Sequence, residues 1–220
     1  MEAAVAAQRG GAQRIELCAD LRLGGLTPSE ELMRSVRASV SLPIFAMIRP
    51  RAGDFGYSDM ERFQMRRDIA TAKHFGMDGI VLGLMMRNAR IDFERTQVMV
   101  WTAKPLPVTF HRAFDEVADP EVAVKDVIRS GAARILTSGG ASSALAGIEN
   151  LARLVKAAKE RVIIVPGGGI NASNVVQIAT QTGAREIHSG LGSVLAYGHE
   201  DYPRFEDEVR KMATLLAGVG

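Results

Sequence analysis

The stretch Val162-Ile-Ile-Val-Pro-Gly-Gly-Gly-Ile-Asn171 decides the fold of this chain. It begins with a short β-branched run, passes through a glycine-rich loop and ends where a helical pattern of apolar residues starts. This is the order of a βα unit, in which a buried strand leads through a loop into a covering helix. The same unit recurs in both directions along the chain, about every 30 residues, which is the length of one such unit.

Seven strand-like runs are visible, and they are Arg14–Cys18, Ile44–Arg49, Gly79–Leu84, Val108–Ala113, Arg134–Ser138, Val162–Pro166 and Glu186–Ser189. Eight helices are predicted beside them: Glu2–Arg9, Ser29–Val40, Ser58–Phe75, Phe93–Ala103, Pro120–Ser130, Leu145–Lys159, Asn171–Thr182 and Tyr202–Ala217. Three of the helices have N-cap residues of a favourable type, at Ser29, Asp119 and Asn171. Alternating units of this kind predict an α/β fold with a parallel sheet, either closed or doubly wound.

We predict a single domain over residues 1–220, a (β/α) barrel of the TIM type. A full barrel has eight strands and eight helices, so its first strand is apparently missing before the helix Glu2–Arg9. The alternative is that this helix plugs the bottom of the barrel. A missing strand would leave the edges of Arg14–Cys18 and Glu186–Ser189 unpaired, and exposed edges favour pairing with another chain. We then expect either that the natural protein begins upstream of Met1 or that this chain self-associates.

Composition and charge exclude several functional classes. The 27 Lys and Arg nearly balance the 25 Asp and Glu, and they form no basic stripe, so we predict no nucleic-acid partner. No apolar run is long enough for a membrane helix, and Met1–Gly10 lacks the pattern of a signal peptide, which predicts a cytoplasmic protein without a membrane partner. The single cysteine, Cys18, excludes an internal disulfide and a multi-cysteine zinc site. The lysines fall on predicted helices or their ends, which argues against a Schiff-base aldolase.

Polar residues collect at the C-terminal ends of the predicted strands, where TIM barrels place their active sites. The two-residue period of a strand turns Glu16 and Cys18 into the barrel, and it also turns Thr109, His111, Glu186 and His188 inward. Any one of these could be a hydrogen-bonded core residue, but together they predict a site. We expect the other two histidines, His74 and His199, on the surface. The candidate catalytic residues are Glu16, His111, His188 and Asp115.

Two glycine-rich loops predict an anion site. The loop Gly167–Gly169 lets the backbone approach a ligand, and the helix after it offers free N–H groups. With the missing strand restored, this loop follows the seventh strand and Ser189–Ser193 follows the eighth, which are the loops where barrels frequently bind phosphate. Nearby arginines would add bidentate donors. The predicted anion- or substrate-binding residues are Arg49, Arg51, Asp54, Arg112, Ser138, Gly167, Gly168, Gly169 and Ser189.

Several motifs resemble the CutC family, known as copper homeostasis proteins. They are Arg14-Ile-Glu-Leu-Cys18, Met47-Ile-Arg-Pro-Arg51, Thr109-Phe-His-Arg-Ala-Phe-Asp115, Pro166-Gly-Gly-Gly169 and Glu186-Ile-His-Ser189. The resemblance runs essentially end to end. It implies a TIM-type barrel, a cytoplasmic location, a role in copper handling and self-association as a homodimer or a higher homo-oligomer. Family members also begin with a strand that carries Glu and often Cys, and this sequence starts after it.

Two functions stay open at this point. The resemblance and Cys18 favour a copper-binding homeostasis protein, because soft thiolate and thioether ligands prefer Cu(I). Met47 is a second candidate ligand, although a buried Cys or Met is commonly a core residue. The residues at the barrel mouth favour an enzyme that acts on a small anionic, phosphorylated metabolite by His/Glu acid–base or metal-assisted chemistry. A catalytically silent assembly partner would leave the His, Glu and Arg cluster unexplained, and the fold alone does not decide.

Overall fold

The described part of the chain contains one parallel sheet covered by helices. The computed structural model describes residues 1–192, 194–195 and 200–219, so Ser193 and His199 lie outside the described residues. Within them the sheet has six strands in the order of the chain, β1 to β6. The strands are Ile15–Leu17, Ile44–Met47, Gly79–Leu82, Val108–Phe110, Arg134–Thr137 and Ile163–Pro166. Neighbours in sequence are neighbours in the sheet, and each pair is parallel, which gives a TIM-like half-barrel.

Eight α-helices, α1 to α8, accompany these strands in the described residues. They are Glu2–Arg9, Glu30–Ser39, Asp59–His74, Phe93–Ala103, Pro120–Ser130, Ile148–Ala158, Val175–Thr182 and Tyr202–Ala217. Two short 3₁₀ helices, Leu21–Leu23 and Arg112–Glu116, follow β1 and β4. Helices α2 to α6 each follow a strand and pack against their neighbours around the outside of the sheet, while α1 packs against α8.

The main hydrophobic core lies between the sheet and the helices. Outward-facing strand residues such as Leu17, Ile80 and Phe110 are buried there together with helix residues such as Met33 and Ile69. The inward-facing residues form a separate, smaller apolar cluster of Phe45, Met47 and Val81, against which Cys18 packs. The alternation of the sequence therefore assigns the two faces correctly, and most of the predicted site residues lie in the loops that follow the strands.

The prediction of a seventh strand at Glu186–Ser189 is wrong for the described sheet. The segment reaches β6 through a single backbone bond, from the His188 N–H to the Pro166 carbonyl at 2.9 Å, and it forms no ladder. A strand is stabilised by repeated pairing along its edges, and the described residues place no second neighbour beside this one. Among the described residues β1 pairs only with β2, so in this part of the chain the opening expected between Arg14–Cys18 and Glu186–Ser189 is present.

Helix starts follow local hydrogen bonding. The caps at Ser29 and Asp119 are confirmed, because each side chain accepts a backbone N–H of its helix. The cap at Asn171 is wrong. The Asn171 carboxamide oxygen accepts the Ser173 N–H at 2.9 Å in a turn, and α7 begins only at Val175. This leaves an irregular segment between β6 and α7.

Among the helices in the described part of the chain, none is long and apolar enough to cross a bilayer.

Candidate functional site

A charged cluster occupies the inner face near the start of the strands. Glu186 accepts hydrogen bonds from Arg134 Nε at 2.8 Å and Nη2 at 3.0 Å, and Arg14 Nη1 lies 2.8 Å from Glu186 Oε2. Both guanidinium groups lie over the Phe45 ring, 5.1 and 5.5 Å from its centroid. The inward direction of Glu186 was predicted from the sequence, but Arg14 and Arg134 were not predicted as its partners. The alternation that turns Glu16 inward also turns Arg14 inward, two residues earlier.

Glu16 and His188 form a carboxylate–imidazole pair closer to the C-terminal ends of the strands. His188 Nδ1 lies 3.4 Å from Glu16 Oε2, and the side chains are 30% and 7% exposed, respectively. The other carboxylate oxygen, Glu16 Oε1, is buried and has no partner in the described part of the chain. A carboxylate beside Nδ1 fixes the orientation of the imidazole and leaves Nε2 for a ligand or for proton transfer.

His111 is fully inside the protein at the end of β4. Its Nδ1 accepts the Ala113 N–H at 3.2 Å, so the neutral ring carries its proton on Nε2. Burial, together with the charge of Arg49, lowers the pKa of His111 to about 3. Nε2 has no partner among the described residues, and the Phe55 ring lies 4.9 Å away, centroid to centroid. His111 is therefore suited to donate a hydrogen bond and not to act as a general base.

Arg49 is committed to the loops around the end of β2. Its guanidinium donates to the carbonyl oxygens of Leu23, Gly25 and Gly53 at 2.6, 3.3 and 3.0 Å, and it lies over the Phe55 ring at 4.9 Å. These contacts hold the two loops together. The predicted anion-binding role would have to use the two N–H groups that these contacts leave over, one on Nη2 and one on Nε, and Nε has no partner with good geometry in the described residues.

Arg51 and Asp54 form a second local network on the rim. Arg51 donates to Asp54 Oδ1 at 2.9 Å and to Glu61, while Asp54 Oδ1 also accepts the Gly56 N–H at 3.1 Å. The hydrogen bond from Arg51 holds the pKa of the Asp54 carboxyl below its usual range. Glu61 also closes a capping box with Ser58 at the start of α3. The network fixes the loop between β2 and α3.

Asp115 organises the loops after β4 and β5. One carboxylate oxygen accepts the N–H groups of Ser138 and Gly140 at 2.9 and 3.2 Å and the Thr137 hydroxyl, and the other accepts Arg112 Nε at 2.7 Å. With this many donors, Asp115 holds the two loops in place, and its predicted catalytic role stays a prediction. Arg112 also donates through Nη2 to the Ser138 hydroxyl at 3.1 Å, so the predicted Arg112 and Ser138 lie together.

The three glycines after β6 lie beside these loops. The Cβ of a side chain at Gly168 would lie 3.5 Å from Arg112 Nη1, and its φ of 109° also favours glycine. At Gly167 a Cβ would lie 2.5 Å from Leu136 and 3.5 Å from the His188 side chain. Ser189 donates its hydroxyl to the Ile170 carbonyl at 2.5 Å, which ties the 186–189 segment to this loop.

Cys18 and Met47 approach each other on the inner face. The Cβ position at Gly25 lies 3.2 Å from Cys18 Sγ and 3.6 Å from Met47 Cε, so both sulfur-bearing side chains border the same point. Burial raises the pKa of the Cys18 thiol to about 11, and the nearby charge of Glu16 adds to the shift. Within the described residues, no three His, Cys, Asp or Glu side chains form a group that could hold a metal ion.

The predicted site residues therefore fall into two groups. The first joins Glu16 and His188 to the Gly167–Gly169 loop and, through it, to Arg112, Asp115 and Ser138. The second joins Arg49 to His111 through Phe55, with Arg51 and Asp54 on the adjoining rim. Phe55 was missed because an aromatic residue in a loop carries no periodic signal.

Comparison with protein families gives one result for most of the chain. The model of the CutC family matches residues 1–193. A human protein named copper homeostasis protein cutC homolog is 48% identical over 193 residues, which are 88% of this chain and 71% of that protein. A CutC family protein of Vibrio cholerae is 50% identical over 181 residues, covering 81% of this chain and 71% of its own length.

Solved structures agree with this result. The crystal structure of the putative copper homeostasis protein CutC from Streptococcus agalactiae matches with a TM-score of 0.77 at 33% identity. The match covers 80% of this chain and 88% of that one. A thiamine phosphate pyrophosphorylase from Pyrococcus furiosus matches with a TM-score of 0.64 at 18% identity, over 99% of this chain and 89% of that one. At that identity the second match shows the fold alone.

Proposed function

We propose a function from the premise that this chain belongs to the CutC family, as the family-model match and the identity of 48% to the human relative show. The proposal is that the chain takes part in copper homeostasis by binding Cu(I) at Cys18. The relatives bear the name of copper homeostasis proteins. The step to copper binding by this chain rests on its own sulfur-containing side chains.

One observation carries the proposal. Cys18 Sγ and Met47 Cε lie 3.2 and 3.6 Å from the same buried point, the Cβ position of Gly25. Thiolate and thioether groups are the soft ligands that Cu(I) prefers. They fit the ion in kind, but the described residues bring only this sulfur-containing pair together here, with Glu16 nearby as a carboxylate. We therefore expect weak Cu(I) binding within one chain.

Protonation of the thiol makes the proposed binding depend on pH. The ligand is the thiolate, and burial raises the pKa of Cys18 to about 11. Cu(I) must then displace a proton, so the apparent affinity should rise about tenfold per pH unit through the neutral range. A slope close to zero would mean that no thiol ionises on binding.

The test is a titration with Cu(I) against a competing chelator under anaerobic conditions. We expect Cys18→Ser to abolish stoichiometric binding and Met47→Leu to weaken it. Met99→Leu, in which a buried methionine on the helix side of the sheet is changed, is the matched control and should leave binding unchanged. Tight binding that persists in Cys18→Ser would refute Cys18 as the ligand and point to methionines.

We further propose that the inner face is enclosed as a TIM-type barrel, with the segment 186–189 beside β6. Support comes from two contacts that cross the opening of the sheet, Arg14 with Glu186 and Glu16 with His188. Both would be lost if the two edges of the sheet moved apart. We also propose a cytoplasmic location, because a reducing compartment keeps a thiol such as that of Cys18 available as a ligand.

Self-association is proposed through α3 and α4. Four large apolar side chains on these neighbouring helices are at least half exposed: Met60 at 77%, Phe63 at 58%, Val98 at 50% and Trp101 at 66%. In a two-fold contact the same patch of both copies meets, so the patch must be complementary to itself. Charges of both signs beside the patch can then pair with opposite charges of the other copy. Asp59, Arg66 and Arg95 line the same groove. Light scattering should show at least a dimer that Trp101→Glu weakens, and an unchanged mass would refute this surface.

A further inference from the structure

We infer that the loops after β4, β5 and β6 bind the phosphate group of a small, hydroxyl-bearing phosphomonoester. The proposal does not rest on copper binding, and it concerns a ligand site, not a reaction. The binding surface consists of Arg112, Gly168, Gly169 and Ile170, and we call it the anion cradle.

Backbone donors form the floor of the anion cradle. Among the described residues, the N–H groups of Gly168, Gly169 and Ile170 donate to no acceptor. The Ala144 N–H donates to the Gly168 carbonyl at 2.8 Å, which fixes the two loops against each other. Successive N–H groups held in this way form an anion-binding concavity.

Arg112 supplies the charge. Its Nε and Nη2 donate to Asp115 and Ser138, whereas Nη1 has no acceptor in the described part of the chain and lies 3.5 Å from the Cβ position of Gly168. A side chain at position 168 would fill this space. The carboxylate of Asp115 lies beside the anion cradle, but it is compensated by Arg112, two N–H groups and the Thr137 hydroxyl.

An independent observation lies next to the anion cradle on the inner face. Glu16 has a side chain that is 93% buried, and its Oε1 has no partner in the described residues. His188 holds Glu16 at 3.4 Å and packs 3.5 Å from the Gly167 Cβ position, so it links the carboxylate to the glycine loop. An unpaired buried acceptor costs about 1–3 kcal/mol and calls for a donor.

The chemistry of the unpaired Glu16 oxygen defines the rest of the ligand. Glu16 Oε1 is an acceptor that is buried and has no partner in the described chain. A hydroxyl group of the ligand can donate to it. An anionic end at the anion cradle and hydroxyl groups toward Glu16 together describe a hydroxylated phosphomonoester.

The test uses metal-free protein labelled with ¹⁵N and three probes: inorganic phosphate, glycerol 3-phosphate and glycerol. We expect the amide signals of Gly168, Gly169 and Ile170 to shift with both phosphates and to stay in place with glycerol alone. Glycerol 3-phosphate should bind more tightly than inorganic phosphate. Glu16→Gln should weaken the binding of glycerol 3-phosphate and leave the binding of inorganic phosphate unchanged.

A matched pair of variants tests the charge. Arg112→Gln should weaken phosphate binding at least about tenfold, since a charged hydrogen bond is lost. Arg95→Gln is the control, because Arg95 also pairs with an aspartate three residues away and is 51% exposed against 47% for Arg112. Equal weakening in both variants would overturn the proposal. If Arg112→Gln does not fold, the three amide signals of the wild type decide, and their failure to shift also overturns it.

Discussion

Replacing Glu186 by Gln should destabilise the protein strongly, although Glu186 lies outside every regular strand and helix. Its carboxylate serves two arginines at once, at 2.8 Å from Arg14 Nη1 and 2.8 Å from Arg134 Nε. All three side chains are at most 23% exposed. The Gln side chain keeps one acceptor and loses the charge, which leaves two guanidinium groups facing each other over Phe45.

The magnitude follows from the loss of a partly buried ionic partner. Removing one member of a buried pair costs about 3–5 kcal/mol, and a residual exposure near one fifth reduces this to about 2–4 kcal/mol. That is a large share of a typical stability of about 5–15 kcal/mol. Glu160 is the matched control, because it pairs with Arg185 at 75 and 78% exposure, and its replacement by Gln should cost less than about 1 kcal/mol.

The effect should also depend on pH. Burial alone would raise the pKa of Glu186, but the hydrogen bonds and charges of Arg134 and Arg14 outweigh it and lower the pKa below the usual 4.5. The ionic contribution is therefore fully present above about pH 4.5 and is lost as the pH falls through the lower folded-state value. Urea denaturation at pH 7 and in acid measures both effects. A Glu186→Gln variant no less stable than Glu160→Gln at pH 7 would refute the reasoning.

Three further predictions use individual groups. Cys18 should react with iodoacetamide at pH 7 about 100-fold more slowly in the folded protein than in urea, because its pKa rises from 9.0 to about 11; equal rates would contradict its burial. The ¹⁵N shifts of His111 should show an Nε2–H tautomer that does not titrate between pH 7 and 5, whereas a midpoint near 6.5 would be inconsistent with a pKa of about 3. Since unfolded His111 binds its proton near pH 6.5 and the folded ring does not, this group should lower the free energy of unfolding as the pH falls below 6.5. Asp115→Asn should cost about 2–4 kcal/mol in urea denaturation. Asp54→Asn should cost much less, because the Asp54 side chain is 78% exposed; similar costs would show that the Asp115 hydrogen bonds do not stabilise the loops.

The alternation of residues predicted the faces of the strands. Glu16, Cys18 and His111 lie on the inner face because their sequence neighbours Leu17 and Phe110 bury apolar surface under the helices. Burial of the apolar face determines the direction of every side chain in a strand. Strand faces could therefore be predicted without any knowledge of the sheet as a whole.

The roles of the arginines could not be predicted in this way. Arg49 and Arg51 stand at the end of a strand, as anion-binding residues do, but their hydrogen bonds go to Gly53, Asp54 and Glu61. Which acceptor an arginine finds depends on how loops from different units meet. That information is not contained in local periodicity, and Arg112 differs only because Gly168 leaves space beside its Nη1.

The prediction of a seventh strand was wrong for a related reason. Residues 186–189 have the right alternation, since Ile187 packs against the helix-side core. Glu186 contacts Arg14, and His188 contacts Glu16. Pattern determines which side chains turn inward, but a ladder also requires a paired backbone on the neighbouring edge. Here side chains hold the segment to Arg14 and Glu16 across the opening, so the ionic contacts replace part of the missing backbone pairing. A charged inner face is thus both the candidate site and the means by which the sheet is held around it.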